Sequence, residues 1–157
     1  RRLPLTVTGS GTYEEPYALV TAHDGRRFIG LGNHTGQVYV FEPRDQQIAV
    51  RNIGTARGQA DSPLNTHYTM ALAPDGSVYY TGSLSTGREL YIFRVPPDLS
   101  RPEVIGRTSV PLAPSGYSRQ AVPNLIIQGS TVAPDGTLIV MNAYPLQLLV
   151  FRGIASR

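Results

Sequence analysis

The sequence predicts an all-β chain built of repeated four-stranded sheets, and three observations predict it. An Asp-Gly corner between short apolar runs occurs three times, at Asp24-Gly25, Asp75-Gly76 and Asp135-Gly136, with separations of 51 and 60 residues. A phenylalanine follows each corner: Phe41, Phe93 and Phe151 stand 17, 18 and 16 residues after the Asp of their own copy. The chain of 157 residues holds 16 Gly and 13 Pro, a turn-rich composition, and its longest apolar runs have only strand length. Four antiparallel strands in roughly 40 to 60 residues describe one blade of a β-propeller. A sandwich or a plain meander does not require the same corner and the same Phe to recur.

The elements follow in order. "LPLTVTGSG", Leu3–Gly11, reads as a lone strand whose last residues resemble the outer strands of the later copies. The first copy runs "YALVTA", corner, "RFIGLG", turn "NHTG", "QVYVFEP", then the more polar "QIAVRNIG". The second runs "TMALA", corner, "SVYYTG", turn "LSTG", "ELYIFRV", then "PEVIGRTS". The third runs "STVA", corner, "TLIVMN", turn "AYP", "LQLLVFRG", and has no fourth run. Gly, and tolerably Asp, supplies the positive φ a tight corner needs. Apolar middle runs fit strands covered on both faces, and polar fourth runs fit sheet edges that meet water. Blades are expected near 12–54, 64–107 and 124–157, with the N-terminal strand at 3–11. The sum is twelve strands, or three blades' worth.

Composition narrows the classes. Hydrophobic residues make up 41% and charged residues 16%, as in a globular chain. No run approaches the roughly 18 apolar residues of a membrane span. There is no Cys, hence no disulfide, thiolate metal site or thiolate nucleophile, and the redox compartment stays open. The net charge is +3 and all 14 basic residues are Arg. They are scattered rather than gathered in a stripe, which argues against nucleic acid as a partner. A chain that opens on Arg1 reads as processed or as a fragment.

Propellers typically have four to eight blades, so three leave two apolar blade faces uncovered. One expected closure is a homodimer completing a six-bladed ring. The Leu3–Gly11 strand would then complete the "PLQLLVF" blade, in its own or the partner subunit. The other expected closure takes the remaining blades from a longer chain or another subunit.

"ALAPDGSVYYTGS…ELYIFRVPPD" resembles the blade of the NHL, SMP-30 gluconolactonase and streptogramin-lyase-like propellers. The resemblance spans nearly the whole chain except about 108–124. It implies a propeller fold and leans towards an extracytoplasmic setting. Gluconolactonase-type members bind a divalent metal in the central channel through Glu, Asn and Asp. "YEEPYA", 13–18, stands where those members carry Gly-Glu-Gly-Pro.

Propeller ligands bind where the innermost strands begin. Aligned on the Asp-Gly, Tyr17 and Tyr68 match, with Gln128 in the third copy. His67 departs from its own repeat, since Pro16 and Ile127 stand at that position. Tyr17, Asn65, His67, Tyr68 and Asn124 are therefore the candidate ligand-binding residues. His67 is the candidate general base, or else a polar rim residue. Glu15, Asn65 and Asn124 precede their Asp by 9, 10 and 11 residues. They are an oxygen-rich set suited to a hard cation such as calcium, or else a turn-capping and solvated set. The insertion Arg107–Asn124 carries Tyr117 and Arg119, residue types common at protein contacts. His23 and His34 read as loop residues. The first functional reading is an interaction platform or accessory subunit, since no complete catalytic set is evident. The alternative is part of a metal-dependent hydrolase or lyase of the gluconolactonase kind.

Overall fold

Runs rich in Val, Ile, Tyr and Phe suit a pleated, half-buried surface, and each becomes a strand. The computed structural model describes residues 4–8, 16–32, 36–55, 65–83, 89–110, 125, 127–143 and 146–154, and only the backbone of 5–8, 55 and 65–68. Among them are twelve strands and no helix. They are β1 (Leu5–Thr8), β2 (Pro16–Thr21), β3 (Phe28–Gly32), β4 (Gln37–Pro43), β5 (Ile48–Thr55) and β6 (Asn65–Leu72). Then come β7 (Val78–Ser83), β8 (Glu89–Val95), β9 (Glu103–Ser109), β10 (Ile127–Val132), β11 (Leu138–Asn142) and β12 (Gln147–Phe151).

Three sheets result, each an antiparallel meander: β2-β3-β4-β5, β6-β7-β8-β9 and β10-β11-β12. The three Asp-Gly corners join the first two strands of each sheet. Gly25, Gly76 and Gly136 adopt φ of 66°, 86° and 80°, which a side chain would strain. Their N–H groups donate to the Ala22, Ala73 and Ala133 carbonyls at 2.9, 3.0 and 2.9 Å. The Asp side chain closes each corner from outside: Oδ1 accepts the N–H of Arg26, Ser77 and Thr137 at 2.9, 2.9 and 3.0 Å. The first corner is one residue longer, because Ala22 bonds Arg27 where Ala73 and Ala133 bond Ser77 and Thr137.

The period-2 alternation of each strand then builds two cores between the sheets. Ile29, Leu31, Val38 and Val40 of the first sheet meet Val78, Tyr80, Tyr91 and Phe93 of the second. Tyr79, Leu90 and Ile92, on the opposite side of the second sheet, meet Ile127, Leu138 and Val140 of the third. Tyr80 stacks on Phe93 with ring centroids 5.0 Å apart. Fully burying a side chain of this size stabilises by about 1.5–3 kcal/mol, so the stacked sheets supply most of the cohesion.

Two expectations are corrected: that the three recurrent Phe are buried at equivalent places between neighbouring sheets, and that the N-terminal strand completes the third sheet of its own chain. Phe93 and Phe151 both point towards the preceding sheet, and Phe93 is buried there. Phe41 sits on the same side of its own sheet, but no sheet precedes it among the described residues. It is covered instead by Phe28, Tyr39 and Val50 of its own sheet. The second correction concerns the N-terminal strand. β1 does not complete the third sheet of its own chain: it pairs parallel with β5, Leu5 opposite Ile48 and Thr8 opposite Arg51. The third sheet ends at β12.

Candidate functional site

β2, β6 and β10 each form one edge of a sheet, and β6 lies against both of the others. The three sheets therefore share a seam of inner strands. Each inner strand breaks its ladder at the same repeat position. In the first sheet Pro16 pairs with Gly32 and Ala18 with Leu31, so Tyr17 is an extra residue. In the third, Ile127 pairs with Asn142 and Gly129 with Met141, so Gln128 is extra. In the second, Thr66 pairs with Gly82 and Met70 with Tyr80, leaving His67, Tyr68 and Thr69 opposite Thr81 alone. A β-bulge bends its strand and re-aims a side chain out of the pleat, and such bulges recur beside binding sites.

Tyr17 is 56% exposed although it lies within a strand, and Gln128 is also exposed. The seam also holds polar atoms that lack partners among the described residues: Thr69 Oγ1 on β6 and Ser130 Oγ on β10. Buried hydroxyls are normally hydrogen-bonded, so each of these is suited to a water or a polar ligand. Away from the seam, His23 lies in the first corner, packed against Gly76: a Cβ added to Gly76 would stand 3.1 Å from the His23 ring.

Of the sequence candidates, the structure places Tyr17 at a bulge, and the backbones of Asn65, His67 and Tyr68 in β6, the latter two within its bulge. Glu15, Asn124, Tyr117 and Arg119 lie outside the described residues. Among the described residues no three His, Cys, Asp or Glu side chains gather as metal ligands. Sequence reasoning passed over Thr69 and Ser130. The signal for Thr69 was its place beside the matched Tyr68; nothing local marked Ser130.

No protein-family model matches the chain, and no curated protein matches it in sequence. Among solved structures, it is similar to a Bacteroides fragilis protein assigned as a 6-phosphogluconolactonase, at 17% identity and a TM-score of 0.47. That match covers 87% of this chain and 39% of the other, so this chain spans well under half the length of its structural neighbour. No helix among the described residues is long and apolar enough to cross a membrane.

Proposed function

We propose that the chain supplies three blades of a β-propeller and that its bulged inner strands form part of a small-molecule site. The observation that carries this reading is the bulge repeated at Tyr17, at His67–Thr69 and at Gln128 along one seam. A bulge re-aims side chains out of the pleat, and a binding pocket needs a few convergent polar groups, so bulges on three adjacent strands support this reading. The unpartnered hydroxyls of Thr69 and Ser130 add polar atoms to the same seam.

The chemistry to test first is hydrolysis of a sugar lactone, the class named for the Bacteroides neighbour and for the gluconolactonase-type propellers. In this reading His67 takes the proton of the attacking water as the water adds to the lactone carbonyl, and returns it to the ring oxygen as the tetrahedral intermediate collapses and the ring C–O bond breaks. Tyr17, Tyr68 and Asn65 orient the sugar. Glu15, Asn65 and Asn124 are the residues that would hold a divalent cation such as calcium, which supplies Lewis-acid polarisation when bound.

The test is turnover of glucono-δ-lactone by the purified chain, with and without calcium. Calcium-stimulated hydrolysis that falls at least about 100-fold in His67→Asn is expected if His67 is the base. Tyr17→Ala should raise KM with little change in kcat. No turnover of any sugar lactone, together with no heat of calcium binding, overturns the enzyme reading.

A second reading has its own observation. Leu146, Leu148 and Val150 of the third sheet are 77%, 66% and 51% exposed. An apolar patch of this kind favours a protein partner, in keeping with an interaction platform to which Tyr117 and Arg119 would add contacts.

A further inference from the structure

The two interfaces between successive sheets are alike near the Asp-Gly corners and unlike at the other end. Cross-strand partners share a face of a sheet, and so do residues two apart along a strand. Ala71 pairs with Tyr79, and both belong to the core shared with the third sheet. Thr81, two residues beyond Tyr79, therefore faces the third sheet. Thr69 faces it too, since it stands two residues from Ala71 and beside the regularly paired Met70, which packs on the opposite core. Ser130 pairs with Val140, and Asn142 with Ile127, both in the core shared with the second sheet. Ser130 and Asn142 therefore face the second sheet. Ser83 follows Thr81 on the same side, and Thr81, Ser83 and Asn142 are buried. The interface thus runs from Tyr79, Leu138 and Val140 near the corners to hydroxyls and an amide at the far end.

The repeat shows that the fold does not require this. Thr69 and Ala18 stand six residues before the Asp of their corners, and Ser130 and Met70 five before. Asn142 and Gly82 stand seven after. Thr81 stands six after, and Leu31 seven after because the first corner is one residue longer. Ala18 and Leu31 belong to the core between the first and second sheets, and Met70 packs against it. The four positions that hold Ala18, Leu31, Met70 and Gly82 in that interface hold Thr69, Thr81, Ser130 and Asn142 in the next.

Burying polar groups costs free energy unless they are hydrogen-bonded, so packing alone favours the apolar set. Thr69 Oγ1 and Ser130 Oγ are buried and make no hydrogen bond among the described residues. Hydroxyls and amides both donate and accept, and neither carries charge. Such a lining suits the hydroxyl groups of a neutral ligand better than an ion. It also adjoins the seam: β6 lies against β10, Thr69 ends the bulge of β6, and Ser130 stands two residues past the bulged Gln128.

We infer that the far end of the interface between the second and third sheets is a polar slot for the hydroxyl groups of a neutral, sugar-like ring, with Thr69 and Ser130 as the residues that tell a hydroxylated ring from a bare one. This rests on the small-molecule reading, but not on His67 as a base or on a cation.

The test is calorimetry with two rings that resist hydrolysis. One is D-glucono-δ-lactam; the other is δ-valerolactam, the same ring without the hydroxyls or the hydroxymethyl arm. In calcium-containing buffer the unaltered chain should bind the hydroxylated ring at least about tenfold more tightly, and Thr69→Val/Ser130→Ala should remove most of that preference. The ligand-free variant should keep or raise its urea midpoint, because a buried hydroxyl without a partner does not stabilise the fold. An unchanged preference in the variant, or none in the unaltered chain, overturns the slot and leaves the small-molecule reading standing. A lowered midpoint also overturns the slot, since the two hydroxyls then serve the fold. If the unaltered chain binds neither ring, the small-molecule reading fails and the slot fails with it.

Discussion

Gly30 lies under the ring of Phe41. A Cβ at this position would come within 2.6 Å of the Phe41 ring and 3.1 Å of Pro16. Gly30→Ala should therefore cost about 1–3 kcal/mol by overpacking, read as a lower urea midpoint at unchanged slope. Asp24 acts through charge instead. The backbone N–H of Arg27, then that of Arg26, then the Arg27 side chain hold its carboxyl well below the ordinary 3.8. A carboxyl lowered by folding contributes stability that is complete above the unfolded value and lost as pH falls through the folded one. Acid unfolding should thus steepen below about pH 4, and Asp24→Asn should flatten that dependence, as equilibrium denaturation at several pH values would show. The Asp-Gly corners and the recurrent Phe were legible in the sequence because corner chemistry is local. The role of Gly30 was not, since it depends on which ring lies across the neighbouring strand.

Between β8 and β9, the turn at Pro96–Leu99 ties the first two sheets together. Leu99 adopts φ of 57°, a left-handed conformation that costs a Leu about 1–2 kcal/mol, yet its side chain is buried in the first core. Its carbonyl accepts the Arg51 guanidinium at 3.4 Å, and Gly54 of β5 packs on Arg101 and Pro102 just beyond. Leu99→Ala keeps the strain and loses the packing, so a loss of about 2–4 kcal/mol is expected by thermal or urea unfolding. The strands themselves were readable because side-chain period and β-branched composition are properties of contiguous residues. The likeness of β1 to the outer strands was readable too. Its pairing with β5 was not, because pairing between distant segments depends on which edges the rest of the fold leaves open. The inner-strand bulges show the same limit: Tyr17, Tyr68 and Gln128 aligned in the sequence, but only the ladder registers show an extra residue at each.

The molecule as a whole is a stack with direction. The second and third sheets turn their Phe-bearing sides towards the sheet before them, and the outer faces are unlike: Leu148 and Val150 on the third sheet are open, whereas Tyr39, Phe41 and Val50 on the first are buried. If a second copy covers the Leu148 face, Leu148→Ser/Val150→Ser should leave the far-UV spectrum unchanged while weakening self-association at least about tenfold, as sedimentation across a concentration series would measure. Serine at both positions removes apolar area that only a following sheet would bury. A head-to-tail contact of this kind becomes a ring only when its rotation closes; otherwise it propagates without end. In a head-to-tail assembly of such stacks, the angle between successive sheets would set both the packing of the cores and the point at which growth stops. A substitution at Tyr80 or Ile92 that opened this angle by a few degrees would be mild in one copy, yet repeated at every contact it would convert a finite assembly into a fibre.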